Sequence, residues 1–344
     1  MMMAAFVSLA RGFRARLMMP EAAEKRKVNL RANCTRLCKN ESGFLHAPVE
    51  KLESVLAKAK ESVPRFDEAA FRELCDYTTE RSAELPSVNG NAPVENLLCI
   101  VEELLDFNPD RQMLQAAMLY QLPVGKKGQD AQLEPEVREL IESLRKISSV
   151  KAKRDHDQLA ALRKMFVAMA KDIRVVLILL AERLCMMRSL DFFPESERQE
   201  LARETLYIYA PIAGRLGVYA LKAPLEDISF FYLHPEEYHR ISEQMIRMEA
   251  YRDRIIRNAQ KRLQTLLTEN DVDGRVAGRI KHIYSMYKKM QKKGEESIDA
   301  VYDIFAMRII VPSVTECYGV LGILHEHFVP LSGRFKDYIA VPKP

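Results

Sequence analysis

Apolar residues recur at helical spacing over most of the first 270 positions and alternate as in strands afterwards. Val94, Leu97, Leu98, Val101, Leu104 and Leu105 fall on one face of a helix. Met113, Leu114, Ala117, Met118 and Tyr120 mark a second helix, opened by Asn108-Pro109-Asp110 with Pro109 or Asp110 in the first turn. Residues 173–180, apart from Arg174, are apolar all round, the pattern of a central buried helix. Helices are also expected near 49–61 and 67–82, punctuated by Pro48, Pro64 and Pro86 and followed by a loop through 87–91. After a polar loop at 125–130, Leu159, Leu162, Met165, Phe166 and Met169 mark another helix. One very long helix is predicted over 235–269, carried by Ile241, Met245, Met248, Ile255, Ala259, Leu263 and Leu266. Residues 275–281 and 304–311 read as strands, with helices at about 282–293 and 313–327. The pattern is that of an all-helical domain, a connecting helix and the start of an α/β domain.

Composition changes this picture little. The 344 residues are 48% apolar and 29% charged, an ordinary globular balance. A net charge of +4 excludes a global polycation, so positive charge matters only where it clusters. The six cysteines form no CxxC pair, and Cys34 and Cys38 lack a second ligand pair, which argues against zinc. Reduced thiols and a cytoplasmic setting are the default expectation. No stretch of about 18 apolar residues is present, so no membrane span is predicted. Arg11, Arg14 and Arg16 precede the first acid at Glu21, as in an organellar import segment; a frayed N-terminus is the preferred reading.

Charge does cluster between Arg275 and Lys293, where seven Lys or Arg stand without an acid. Arg279 and Lys281 are two apart and would leave the same face of an extended backbone. Lys281, Ser285 and Lys289 are four apart and would stack along one side of a helix. A cationic row at a helix start suits a polyphosphate, because the helix N-terminus adds free N–H groups and partial positive charge. Asp303, opening the next strand, would suit the Mg²⁺ that accompanies a nucleoside triphosphate. On spacing alone, a solvated basic helix followed by an ordinary strand is the preferred alternative.

Gly278-Arg279-Ile280-Lys281-His282-Ile283-Tyr284-Ser285, then Lys289, Met290, Lys292, Lys293, Tyr302, Asp303 and Arg308, resembles the ATP-binding block of the RelA/SpoT family. That family makes and hydrolyses guanosine tetra- and pentaphosphate in the stringent response. The resemblance runs from about residue 94 to the last residue and implies diphosphate transfer from ATP to the 3′-hydroxyl of GDP or GTP. By resemblance, Arg279 stacks on adenine, Lys281 and Lys289 neutralise phosphates, Ser285 donates a hydrogen bond, and Asp303 holds Mg²⁺. Lys281 and Asp303 would be the catalytic pair. Arg308 faces away from Asp303 along a strand and is as readily a structural ion pair. Arg334-Phe335-Lys336-Asp337 matches the RxKD form of a loop tied to guanine-nucleotide preference, so Arg334 and Lys336 join the expected nucleotide site. RxKD is not the form common among synthetases with inactive hydrolase domains, so the subgroup stays open.

The helical half resembles the family's HD hydrolase domain without its Mn²⁺ ligands. Asn96 stands at the first His, Tyr120-Gln121 at the His-Asp pair, Val124-Gly125 at a Glu-Asp pair, and Glu182 at the later Asp. Asn, Tyr and Gln are poor partners for a hard divalent cation, so no Mn²⁺ and no hydrolase activity are expected. His156-Asp157 reads as a helix cap and not a displaced ligand pair. The shell is nonetheless family-like, through Lys171-Asp172-Ile173-Arg174 and Tyr209-Ala210-Pro211-Ile212-Ala213-Gly214-Arg215, with Gly214 for a usual His. The domain reading is an N-terminal extension at 1–45, open to being disordered, a degenerate HD domain at 46–234, a connecting helix at 235–270 and a partial synthetase domain at 271–344. The chain ends where the family continues into its acceptor-binding motif, so the resemblance implies a fragment with little synthesis of its own. Ribosome association would need regions outside this chain, and neither membrane nor direct DNA binding is expected. The alternative from a second class is a non-catalytic, nucleotide-binding regulatory module.

Overall fold

A computed structural model describes residues 3–7, 48–64, 66–82, 92–123, 133–148, 172–247, 249–294, 305–330 and 335–341. The predicted loops at 87–91 and 125–130, the helix at 159–169, His156-Asp157 and Asp303 lie outside the described residues, as do Cys34, Cys38 and Arg334. The chain divides into two compact units, one of residues 27–235 and one of residues 1–26 with 236–344. No helix among the described residues is long and apolar enough to cross a membrane.

The first unit is all-helical among its described residues. Its helices are α1 (Pro48–Ser62), α2 (Glu68–Ser82), α3 (Pro93–Leu104), α4 (Arg111–Leu119), α5 (Pro135–Ser148), α6 (Ile173–Arg188), α7 (Glu195–Glu204), α8 (Ala210–Arg215) and α9 (Tyr219–Leu233). The heptad-like stripe of α3 is fully buried through Leu97, Val101 and Leu104, each such side chain contributing about 2 kcal/mol. Helix α6 is central, as its composition predicts, through Ile178, Leu179, Leu180 and Leu184. Its first residue departs from that reading: Ile173 is 55% exposed, because the helix starts at the surface. Helix α5 was not foreseen between the two polar stretches that flank it. Its one-sided stripe of Val137, Leu140, Ile141, Leu144 and Ile147 is nevertheless wholly buried.

Caps explain several helix starts. Asp110 accepts from the Met113 amide at 2.7 Å, so Asp110 caps α4 and does not enter its first turn. Asp172 accepts from the Arg174 amide at 2.9 Å and starts α6. Arg174 then bonds Asp172, Asp110 and Glu136, tying the N-termini of α6, α4 and α5 together. This is what the Asp172-Ile173-Arg174 stretch does in the fold. A π-helical turn at Thr205–Tyr209 joins α7 to α8. It absorbs Pro211, which has no N–H to offer the preceding turn.

The second unit opens, in chain order, on β1 (Met3–Val7) and resumes with α10 (Pro235–Arg247), α11 (Glu249–Glu269), β2 (Arg275–Ile280), α12 (Ile283–Lys293), β3 (Phe305–Val311) and α13 (Val314–His327). Two expectations are corrected here. The single long helix is two helices, α10 and α11, with residue 248 outside the described residues. Residues 3–7 of the N-terminal extension form a strand antiparallel to β3, with Ala5 opposite Ile309. Their apolar run MAAFV suits a strand, but nothing local marks its partner. The sheet order is β1-β3-β2, with β2 also antiparallel to β3. Met307, Ile309 and Val311 alternate with half-buried residues and pack with Leu263 and Leu267 of α11 and Val320 and Leu324 of α13. Ser313 caps α13 reciprocally with Glu316: its Oγ accepts from the Glu316 amide at 3.2 Å and donates to the carboxylate at 2.6 Å.

Candidate functional site

Two places carry chemistry, one in each unit. In the second unit, β2 ends at Ile280 and α12 begins at Ile283, so the motif spans a strand-to-helix junction. Gly278 lies where α11 crosses β2: a Cβ there would stand 2.6 Å from Cγ2 of Ile256. Glycine at the head of the motif is therefore a packing requirement, not only a signature. Lys281 sits one residue after the end of β2, between the strand and α12. The Arg279 backbone pairs with Ala306 on β3. Ser285 and Lys289 are one helical turn apart on α12 and both half-buried, as the four-residue spacing requires.

His282 is the N-cap residue without a side-chain cap bond, and its ring nitrogen Nε2 lies 2.9 Å from Ser285 Oγ. Met286 makes the first amide bond back to His282, which leaves the earlier amides of α12 facing outward from the helix start. Tyr284 and Tyr287 stack at 6.2 Å, and Lys288 Nζ lies 4.6 Å above the Tyr284 ring. Gly294, in the left-handed region at φ 65°, closes the helix after Lys292 and Lys293. Near the end, Lys336 is exposed. Asp337 accepts from the Ile339 and Ala340 amides at 2.9 Å each and from the Tyr318 hydroxyl at 3.0 Å. The amide bond from Ala340 leads the effects that hold its carboxyl below the ordinary range. Within the RxKD stretch, Asp337 thus anchors the turn to α13.

In the helical unit, the residues at the expected metal-ligand positions engage one another. Gln121 Nε2 donates to Glu182 Oε1 and to the Tyr120 hydroxyl oxygen, both at 2.7 Å. Arg145 of α5 holds the preceding turn through the carbonyls of Tyr120 and Leu122, each at 3.0 Å. Burial pushes the Glu182 carboxyl above its ordinary value, against the opposing bonds from Tyr120 and Gln121 and the charge of Arg183. Burial and the nearby Glu182 push the Tyr120 hydroxyl well above its own. Asn96 is half-buried on α3. Among the described residues no group of three His, Cys, Asp or Glu is placed to hold a metal ion.

Sequence reasoning missed the other half of this network. Arg183 lies over the Tyr209 ring at 4.0 Å and pairs with Glu204 at 2.8 Å. Burial opposes its charge, but Tyr209 and Glu204 hold the guanidinium above its ordinary value. Its Nη1 is buried without a hydrogen-bond acceptor among the described residues. Tyr209 sits at the end of the π-helical turn, and that register places its ring under Arg183. Tyr209 and Arg183 both belong to stretches matched by resemblance, so their pairing was the available signal. Gly214, another departure, is covered by Lys222, whose Cε would lie 2.9 Å from a Cβ at that position.

The described cysteines are of two kinds, against a default expectation of mostly reduced thiols. Cys99 on α3 and Cys185 on α6 form a disulfide across a Cα separation of 6.3 Å. Cys75 and Cys317 are free and buried.

Glu182 yields a pH prediction. Its folded-state pKa is raised, so the folded chain holds this proton more tightly than the unfolded chain. Its contribution therefore favours the fold at acid pH and is lost as pH rises from about 4 through the raised value. Glu182→Gln should flatten that slope without loss of stability at neutral pH, as read by urea midpoints across a pH series. An unchanged slope would show that Glu182 is not the group titrating.

Family comparisons match both units. A family described as "HD domain" matches residues 75–219, and one described as "Region found in RelA / SpoT proteins" matches residues 278–344. A protein named GTP pyrophosphokinase from Myxococcus xanthus is 41% identical over 213 residues, 61% of this chain and 28% of that protein. A guanosine-3′,5′-bis(diphosphate) 3′-pyrophosphohydrolase from Spiroplasma citri is 36% identical over 303 residues, 85% of this chain and 40% of that protein. The bifunctional (p)ppGpp synthase/hydrolase SpoT of Escherichia coli K12 is 38% identical over 250 residues, 71% of this chain and 35% of that protein. The chain thus spans well under half the length of these relatives. With an HD domain, a RelA/SpoT region and relatives of both activities matched in the same order along the chain, the protein belongs to the RelA/SpoT family.

Proposed function

We propose that the second unit binds ATP at the β2–α12 junction for transfer of its terminal diphosphate to the 3′-hydroxyl of GDP or GTP, and that the helical unit has lost hydrolase activity. The observation that supports the first part is the junction itself. It sets Lys281 and the cationic side of α12 beside a helix N-terminus, whose partial positive charge suits a phosphate group. Phosphoryl-type transfer is governed mainly by charge and positioning, so such a cradle is the machinery the reaction needs. Lys281 and Lys289 neutralise the phosphates, Ser285 donates to them, Arg279 stacks on adenine, and Arg334 with Lys336 contributes to acceptor choice. Mg²⁺ would be held through Asp303 and would offset phosphate charge; Asp303 lies outside the described residues, and no step is drawn through the ion.

The second part rests on the Tyr120–Gln121–Glu182 bonds. A cation needs unprotonated donors aimed at one point, whereas here an amide N–H already occupies the Glu182 oxygen and the remaining donors are neutral. Mn²⁺ therefore does not fit this donor set. This chain keeps the HD shell as support or as a regulatory surface.

Isothermal titration with ATP–Mg²⁺ tests the first part. Binding should be measurable with the wild-type chain and weakened about 10-fold or more by Arg279→Ala, the loss of one stacked, charged contact. Binding by neither protein would sink the ATP assignment and leave the regulatory reading. Diphosphate release from guanosine tetraphosphate after Mn²⁺ addition would overturn the second part.

A further inference from the structure

We infer that Cys99 and Cys185 form a reversible redox switch that sets the rigidity of α3 against α6, beside the Tyr120–Gln121–Glu182 network. The bridge links two helices that pack closely, and its sulfurs belong to residues that are half-buried, not sealed in the core. A thiol reagent can therefore reach it without global unfolding. Cys185 follows Glu182 of the network by about one turn of α6. The bridge thus ties α3 to the stretch of α6 that carries Glu182.

The remaining described cysteines do not compete. Cys75 and Cys317 are buried, and burial pushes the Cys75 thiol up to about 12, where almost no thiolate forms at neutral pH. Exchange among the described cysteines is thereby restricted to the 99–185 pair.

The chemistry balances with an external couple of the thiol–disulfide class. In closing, the two thiols give up two electrons and two protons, and a disulfide such as oxidised glutathione accepts them to become two thiols. In opening, a dithiol attacks one sulfur as its thiolate, the other sulfur leaves as Cys thiolate and takes a proton, and the donor's second thiol resolves the mixed disulfide. Closing ties a loop of 86 residues and removes freedom from the unfolded chain.

The test uses the 1–344 chain after exposure to oxidised glutathione, then to millimolar dithiothreitol under native conditions. Maleimide labelling with peptide mapping should find Cys99 and Cys185 blocked first, labelled after dithiothreitol, and blocked again on reoxidation. Hydrogen exchange should accelerate in α3, in α6 and around Tyr120–Gln121, and the unfolding midpoint of the helical unit should fall by about 10 °C. Cys99→Ser and Cys185→Ser should each reproduce the reduced state; if either fails to fold, the dithiothreitol arm on the wild type still decides. Labelling of both residues after glutathione disulfide treatment overturns the bridge. A bridge that resists dithiothreitol until the protein unfolds overturns the switch and leaves a static staple. Opening without any change in exchange overturns the coupling to α3 and α6.

Discussion

Lys222→Met is expected to destabilise the helical unit by about 1–3 kcal/mol, the cost of removing a charged hydrogen-bond donor from a buried carboxylate. Lys222 Nζ donates to Glu226 Oε2 at 2.9 Å within α9, and the Glu226 side chain is only 5% exposed. The aliphatic stem of Lys222 runs over Gly214, so the charge is delivered through a channel that a larger residue at 214 would narrow. Methionine keeps the stem and removes only the charge, which isolates the electrostatic part. The double variant Lys222→Met with Glu226→Gln should recover part of the loss, because no uncompensated charge then remains. Urea unfolding of the two variants checks this. A loss below about 1 kcal/mol for the single variant would mean that water reaches Glu226 and screens it.

Gly278→Val should remove ATP binding and cost about 1–3 kcal/mol of stability in the second unit. The first carbon added at 278 already stands 2.6 Å from Ile256 Cγ2, well inside contact distance. Ile256 belongs to α11, which packs on β2, so the strain must be relieved by tilting the helix or displacing the strand. Either movement shifts the β2–α12 junction on which the proposed ATP site rests. Adding Ile256→Ala opens the space and should restore both folding and binding in the double variant. Titration and thermal unfolding on the three variants separate the effects. Restored stability without restored binding would show that the added valine blocks the ligand directly, and not through α11.

Most elements could be read along the chain because their signals are local. The one-face stripe of α3, the apolar run of α6 and the alternation in β3 each reflect burial of a single element, whatever its partner. Asp110 and Asp172 cap the helices beside which they stand, again within a few residues. The junction at 275–293 was legible for the same reason, with β2 ending one residue earlier than expected and leaving Lys281 outside it. The stripe of α5 is as regular as that of α3 but follows closely on the polar loop read at 125–130. The division of the 235–269 helix was missed because both sides keep a helical period.

The sequence by itself determined the element types, the motif at the β2–α12 junction and the loss of His and Asp relative to the family pattern at the positions expected to bind metal. These depend on spacing and on what each side chain can donate. Only the tertiary structure decided what fills that loss. Gln121 and Glu182 are 61 residues apart, Cys99 and Cys185 are 86 apart, and β1 reaches a strand some 300 residues away. No local preference encodes such partners, because a hydrogen bond, a disulfide or a ladder is chosen by which groups the packed core brings within reach. The same holds for Gly278, whose need for a bare Cα arises from a helix that crosses above it.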